Sequence, residues 1–177
     1  MRIGIDISQL AYKNTGVSEY LKNLVNALLE IDTKNEYVLF FSSLRKKIDS
    51  SLLNFSNSNN VKIKSFNLPP TLLNILWNKL HIVPIENFIG DIDLFITSDW
   101  TEPPARKAIK ATILYDLIVY SKPEETDNKI VQTQRRKLNW VKKESNIVFC
   151  ISEATKQDAI DILGIDKQKL KVIYPGF

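Results

Sequence analysis

Seven short apolar runs recur along the chain, and segments of helical length separate most of them. This alternation constrains the fold more than any single motif does. The runs are RIGIDI (2–7), EYVLFF (36–41), VKIKSF (61–66), DLFIT (93–97), KATILYD (110–116), NIVFCI (146–151) and KVIYP (171–175). Each is short, bounded by turn residues and rich in β-branched or aromatic side chains, as strands are. After the first run, apolar residues fall at Tyr20, Leu21, Leu24, Val25, Leu28 and Leu29. These steps of three and four predict an amphipathic helix over 18–31.

Further helices are expected between the later strands. A short one is predicted over 44–54, followed by a polar turn cluster at 56–60. Pro69-Pro70 opens a segment carrying Leu72, Leu73, Ile75, Leu76, Trp77 and Leu80, which predicts a helix after the prolines. A long basic helix spans 124–144, with Ile130, Val131, Leu138 and Val141 near helical spacing. Ser152 opens a last helix that reaches Leu163 and meets Gly164 as its C-cap. Apolar strands alternating with helices indicate an α/β protein, a mainly parallel sheet covered on both faces. Ligands of such sheets bind at the carboxyl ends of the strands.

Bulk properties limit the rest. The 177 residues suffice for one domain with a sizeable core. The lone cysteine, Cys150, has no internal partner, which fits a reducing compartment. A catalytic thiol would want a histidine, and no motif links Cys150 to the single His81. The net charge of +4 suits anionic partners without choosing among them. No apolar run is long enough to span a bilayer, and MRIGIDI reads as a strand rather than a signal peptide. A cytoplasmic protein is therefore expected.

A ligand is expected at the loops after the first, fourth, fifth, sixth and seventh strands, and four of these carry informative residues. The first carries Thr15, Gly16, Val17 and Ser18 ahead of a helix. Free N–H groups there favour an anion, and Gly16 would let it approach closely. The plainer reading, a tight turn with Ser18 as N-cap, stands level with it. SDWTEPP (98–104), with Asp99 and Trp100, suggests a rigid exposed aromatic surface for a sugar or base, or else a Trp capping the sheet edge. Tyr115-Asp116 puts a carboxylate at a central strand end, to bind hydroxyls or to cap the next turn. Ser152 and Glu153 begin a helix, and on their own they read as caps.

Two other groups read as surface. Asp91 and Asp93 form a D-x-D pair, but they precede a strand, at the wrong edge for the site, so no metal is expected there. The clusters Arg45-Lys46-Lys47, Arg135-Arg136-Lys137 and Lys142-Lys143 read as solvated faces. No nucleic-acid motif accompanies them, and contact with a membrane stays open. The helix with Leu72, Leu76 and Trp77 fits core packing better than lipid.

Taken in order, MRIGIDISQL, TGVSEYLKNLVNALL, ILYDLIVYSKPE and CISEATKQDAIDILGIDKQKLKVIYPGF resemble the N-terminal half of family 4 glycosyltransferases of the GT-B fold. The resemblance is strongest at 1–29 and 112–177 and weak at 42–70. It implies a Rossmann-like three-layer sandwich, one half of a two-domain enzyme that transfers sugar from a nucleotide-sugar donor with retention and usually without a metal. It implies that Thr15, Gly16, Val17 and Ser18 approach the donor. Tyr115 and Asp116 would contact the acceptor or the transferred sugar as catalytic residues, and Asp99, Trp100, Ser152 and Glu153 would line the acceptor side.

The chain departs from the family in two places. The glycine-rich turn keeps only Gly16, and Tyr115 stands where a histidine is common. The E-x7-E carboxylates of the family's second domain are absent. The expectation is an acceptor-side N-terminal domain over 1–177 without its donor-binding partner, inactive alone. It would act in cell-surface polysaccharide or lipopolysaccharide synthesis, on a saccharide or lipid-linked acceptor at the cytoplasmic membrane face. The alternative is a stand-alone, non-enzymatic α/β module that binds a nucleotide or a partner.

Overall fold

The computed structural model describes residues 1–49, 53 and 60–176. Its seven strands are β1 (Arg2–Asp6), β2 (Glu36–Ser42), β3 (Val61–Phe66), β4 (Leu94–Thr97), β5 (Ile109–Leu114), β6 (Ile147–Cys150) and β7 (Leu170–Val172). All neighbours pair in parallel, in the order β3-β2-β1-β4-β5-β6-β7. The predicted α/β sheet is therefore found. The winding reverses between β1 and β4, so their carboxyl ends flank the crevice where a doubly wound sheet binds ligands.

The helices are α1 (Gly16–Ile31), α2 (Pro70–Leu73), α3 (Glu86–Ile89), α4 (Ile118–Ser121), α5 (Asn128–Glu144) and α6 (Glu153–Asp161). α3 and α4, of four residues each, are too brief for periodicity to reveal. α1 begins two residues earlier than predicted. Its N-cap is Thr15, whose side chain accepts from the Ser18 N–H at 3.2 Å, so Ser18 is not the cap. α2 begins at Pro70 itself and continues as a π-helix over Asn74–Lys79. The described part of the expected 44–54 helix, 44–49, is irregular. The rest of that helix, apart from Leu53, and residues 56–59 of the turn cluster lie outside the described residues.

Each central strand buries both faces. In β2, Tyr37, Leu39 and Phe41 join Leu21 and Val25 of α1, while Val38 and Phe40 face the opposite way. Phe40 meets Trp77 of the π-helix at 5.6 Å between ring centroids. Alternation of side chains along a strand requires this two-sided filling once helices cover both faces. Trp77, at 1% exposure, is a core residue. Gly4 of β1 is held to glycine by space. A Cβ there would stand 2.7 Å from Phe95 and 2.8 Å from Ile89.

Candidate functional site

The carboxyl ends of β1, β4 and β5 bring together residues that are far apart in sequence. Asp6 ends β1 and is buried, its Oδ1 accepting the Ser8 N–H at 2.9 Å. Burial pushes its carboxyl above the usual range, and the Ser8 hydrogen bonds and the Lys137 charge oppose that shift only in part. Tyr115, just past β5, packs edge-on against Tyr20 of α1 at 5.5 Å. Its hydroxyl is buried without a hydrogen-bond partner, and so is the Ser98 hydroxyl past β4. Burial drives the Tyr115 phenol upward, with the Ser98 hydroxyl as the main opposing influence. Tyr115 is therefore a neutral hydrogen-bonding group across ordinary pH.

The loop after β4 is fastened by three side chains. Lys137 of α5 donates to the Ser98 carbonyl at 2.8 Å, and Gln134 donates to the Asp99 carboxylate at 3.1 Å. Asn78, in the π-helix, donates to the Trp100 carbonyl at 2.8 Å and accepts from the Glu102 N–H at 2.9 Å. Only Asp99 and Trp100 of its first five residues keep partial exposure, while Ser98, Thr101 and Glu102 are buried. The expected exposed aromatic surface is thus corrected to one half-buried tryptophan on an anchored backbone. The anchors are polar side chains from two helices, which no local pattern in the loop announces.

Lys137 also corrects the solvated reading of the basic cluster at 135–137. It is 1% exposed. Burial pushes its ammonium down, and the nearby carboxylates of Glu102, Asp99 and Asp6 hold it up. From Lys137 a chain of polar contacts crosses the domain. Lys137 donates to Thr112 at 3.2 Å, and the Thr97 hydroxyl lies 2.7 Å from that of Thr112 and 2.6 Å from Glu102. Lys110 then bridges Glu102 at 3.0 Å and Glu144 at 2.8 Å, and Glu144 meets His81 at 2.8 Å. His81 is thus engaged far along this chain and stacks on Trp140. Burial pushes the fully buried Cys150 thiol up to about 11, which does not suit a nucleophile.

Connected hollows open where these residues meet. One of about 280 Å³ is lined by Val17, Asp99, Trp100, Tyr115, Asp116 and Lys137, among others. A second, of about 420 Å³, takes in Gly16 and again Val17, Tyr115 and Asp116. A third, of about 210 Å³, shares Trp100 with the first and reaches Asp6, Tyr12, Pro70 and Leu73. The structure thus gathers Gly16, Val17, Asp99, Trp100, Tyr115 and Asp116. Asp116 also caps the next turn, its Oδ1 accepting the Ile118 N–H at 3.0 Å.

Other candidates stand apart. Thr15 and Ser18 serve the start of α1. Ser152 caps α6 through the Thr155 N–H at 3.0 Å, and exposed Glu153 pairs with Lys156 at 3.6 Å. At the opposite edge of the sheet, the Asp93 carboxylate accepts the Arg2 N–H at 2.7 Å and the Asp91 carbonyl accepts from its guanidinium at 2.8 Å. The Asp93 carboxylate thus fixes the start of β1, and Asp91 contributes only its backbone carbonyl.

No protein-family model matches the chain, and no curated relative does. Solved structures do. Anabaena Alr3699/HepE, in complex with UDP, superposes with a TM-score of 0.52 at 18% identity, over 99% of this chain and 44% of its own. The lipopolysaccharide outer core galactosyltransferase WaaB, in its apo form, gives 0.51 at 13% identity, over 98% of this chain and 45% of its own. The chain therefore spans less than half the length of either structure. At these identities the likeness is one of fold, the Rossmann-like α/β architecture of GT-B glycosyltransferases.

Proposed function

We propose that this chain is the acceptor-side N-terminal domain of a retaining GT-B glycosyltransferase of family 4, which transfers sugar from a nucleotide-sugar donor to a saccharide or lipid-linked acceptor. The reading places it in polysaccharide or lipopolysaccharide synthesis at the cytoplasmic membrane face and assigns no metal. One observation carries it: Gly16, Val17, Asp99, Trp100, Tyr115 and Asp116 line adjoining hollows at the point where the sheet reverses. Trp100 supplies an aromatic face for a sugar ring. Asp99, Asp116 and the free Tyr115 hydroxyl supply hydrogen bonds to sugar hydroxyls. In this reading the donor's nucleotide sits on a second domain, facing Thr15, Gly16, Val17 and Ser18 at the start of α1, where unpaired N–H groups favour phosphate. Ser152 and Glu153, next to Ile151 of the Gly16 hollow, would line the acceptor side.

The test is a titration of the chain with a panel of saccharides and with UDP- and GDP-sugars, read by NMR shifts. A saccharide that moves Trp100 and Tyr115, with weak nucleotide binding and no turnover, supports the proposal. Tight nucleotide binding by the chain alone supports the stand-alone module instead. Sugar transfer by the chain alone refutes the half-enzyme.

A further inference from the structure

The turn that follows the π-helix is strained. His81 and Val83 both take left-handed backbone, with φ of 54° and 64°. A β-branched residue resists that region, and Val83 also precedes Pro84, a position that prefers extended backbone. Such a turn persists only where its surroundings hold it. Here Trp77 Nε1–H donates to the Val83 carbonyl at 2.9 Å, and Ile82 N–H donates to the Leu76 carbonyl at 2.8 Å. The His81 ring completes the hold. It lies flat on the Trp140 indole, with centroids 3.6 Å apart and planes 6° from parallel.

Both ring nitrogens face acceptors. Nδ1 stands 2.8 Å from the Trp77 carbonyl and Nε2 stands 2.8 Å from Glu144 Oε1. A neutral imidazole has one N–H and can serve only one of them, whereas an imidazolium serves both. Burial draws the Glu144 carboxyl upward, but the hydrogen bond and charge of Lys110, and then those of His81, bring it below the usual range. Glu144 and the indole face favour a charged ring. Lys110 on the other Glu144 oxygen, Lys143 at 4.8 Å from the Trp140 centroid and exposed Lys79 oppose it, and Glu102 lies behind Lys110.

The turn also grips the loop after β4. The Trp77 carbonyl belongs to the peptide that leads into Asn78, whose side chain binds the Trp100 carbonyl and the Glu102 N–H. Trp140 Nε1–H donates to the Asn78 carbonyl at 2.9 Å. Past the turn, Ile85 N–H donates to the Pro104 carbonyl at 3.0 Å. Trp100, in that loop, lines two of the hollows.

We infer that His81 is a positioning residue whose second ring proton latches the 80–84 turn and, through Asn78 and Ile85, the loop that carries Trp100. A ring that loses one proton keeps its N–H on the anionic Glu144, the stronger acceptor, and turns a lone pair on the Trp77 carbonyl. The hold is therefore complete in acid and weakens as pH rises through the ring's transition. What this does to a bound saccharide rests on the acceptor-domain reading; the latch does not.

NMR of the labelled chain between pH 5 and 8, the range in which histidines change charge, tests it. The single histidine makes the ring signals unambiguous. The ring nitrogens should report two N–H groups in acid and one, on Nε2, at higher pH. The Trp140 indole N–H and the Glu102 amide should shift with the same midpoint, and protection of the Glu102 amide from exchange should fall roughly fivefold above it, the factor of one lost hydrogen bond. His81→Gln should abolish the transition, and Glu144→Gln should move its midpoint toward acid. Circular dichroism confirms the fold of each variant.

The unaltered chain decides the matter without any variant. A ring whose charge does not change in this range, or a Glu102 midpoint that differs from the ring's, overturns the latch. So does a transition that survives in His81→Gln, which would belong to Asp6 or Asp99, whose carboxyls burial raises. An unmoved midpoint in Glu144→Gln overturns the pairing that holds the second proton. No sugar is present in this titration, so its failure removes the latch and leaves the acceptor reading to its own test.

Discussion

Replacing Lys137 by Met is the sharpest test of how the candidate site is held. The thioether roughly conserves volume and stem, so no large cavity opens. What disappears is a fully buried cation and its hydrogen bonds to Ser98 O at 2.8 Å and Thr112 Oγ1 at 3.2 Å. Glu102, 0% exposed, then keeps only Lys110 as a cation, and Asp6 and Asp99 lose theirs. Removing one partner of a buried charge network costs about 3–5 kcal/mol. With a urea slope of about 2 kcal/mol per molar, the unfolding midpoint falls by about 1.5–2.5 M.

The pH dependence has a definite sign. Burial, the leading cause, raises the Asp6 and Asp99 carboxyls above their unfolded values. The stability this raised protonation gives is fully present below about pH 4 and is lost as pH rises through the folded values. Lys137 opposes the shift, so the deficit of the variant is smallest in acid and largest near neutrality. Urea melts at two pH values, with Lys137→Met, Glu102→Gln and the double variant, give both the deficit and the coupling. A midpoint shift below about 0.5 M, or a deficit that grows in acid, refutes the account.

Three further outcomes follow from local geometry. Thr15→Ala should cost about 1 kcal/mol in a thermal or urea melt, because the Ser18 N–H loses its cap; no loss would mean the cap lies elsewhere. Gly4→Ala should destabilise by about 1–3 kcal/mol in the same melts, since Phe95 and Ile89 stand under 3 Å from the new Cβ. Gly16→Ala should instead leave stability unchanged or raise it by up to about 1 kcal/mol, because its Cβ would meet nothing within 4 Å; a clear fall would show that the fold, not a ligand, requires this glycine.

The strands were legible because burial on both faces leaves a strong signal: short β-branched runs at every position where the sheet later forms. The start of α6 was equally plain, since Ser152 and Thr155 lie in a local capping pattern. Lys137 was misread for the opposite reason. A charged letter within a basic cluster suggests solvent, yet Val131, Gln134, Lys137, Val141 and Glu144 follow one buried or half-buried stripe of α5 at steps of three and four. Read by position rather than by residue type, that stripe already places a lysine in the interior.

By itself the sequence determined the alternation of elements, the layered α/β class and the loops at which a ligand could be met. These depend on local periodicity and on caps, which neighbours along the chain specify. Tertiary structure alone decided the strand order, which of the loops share a hollow, and how the loop with Asp99 and Trp100 is fastened. Those features rest on Asn78, Gln134 and Lys137 reaching across from other elements. A buried polar group takes whatever partner the fold brings near it, and sequence spacing carries no record of that partner.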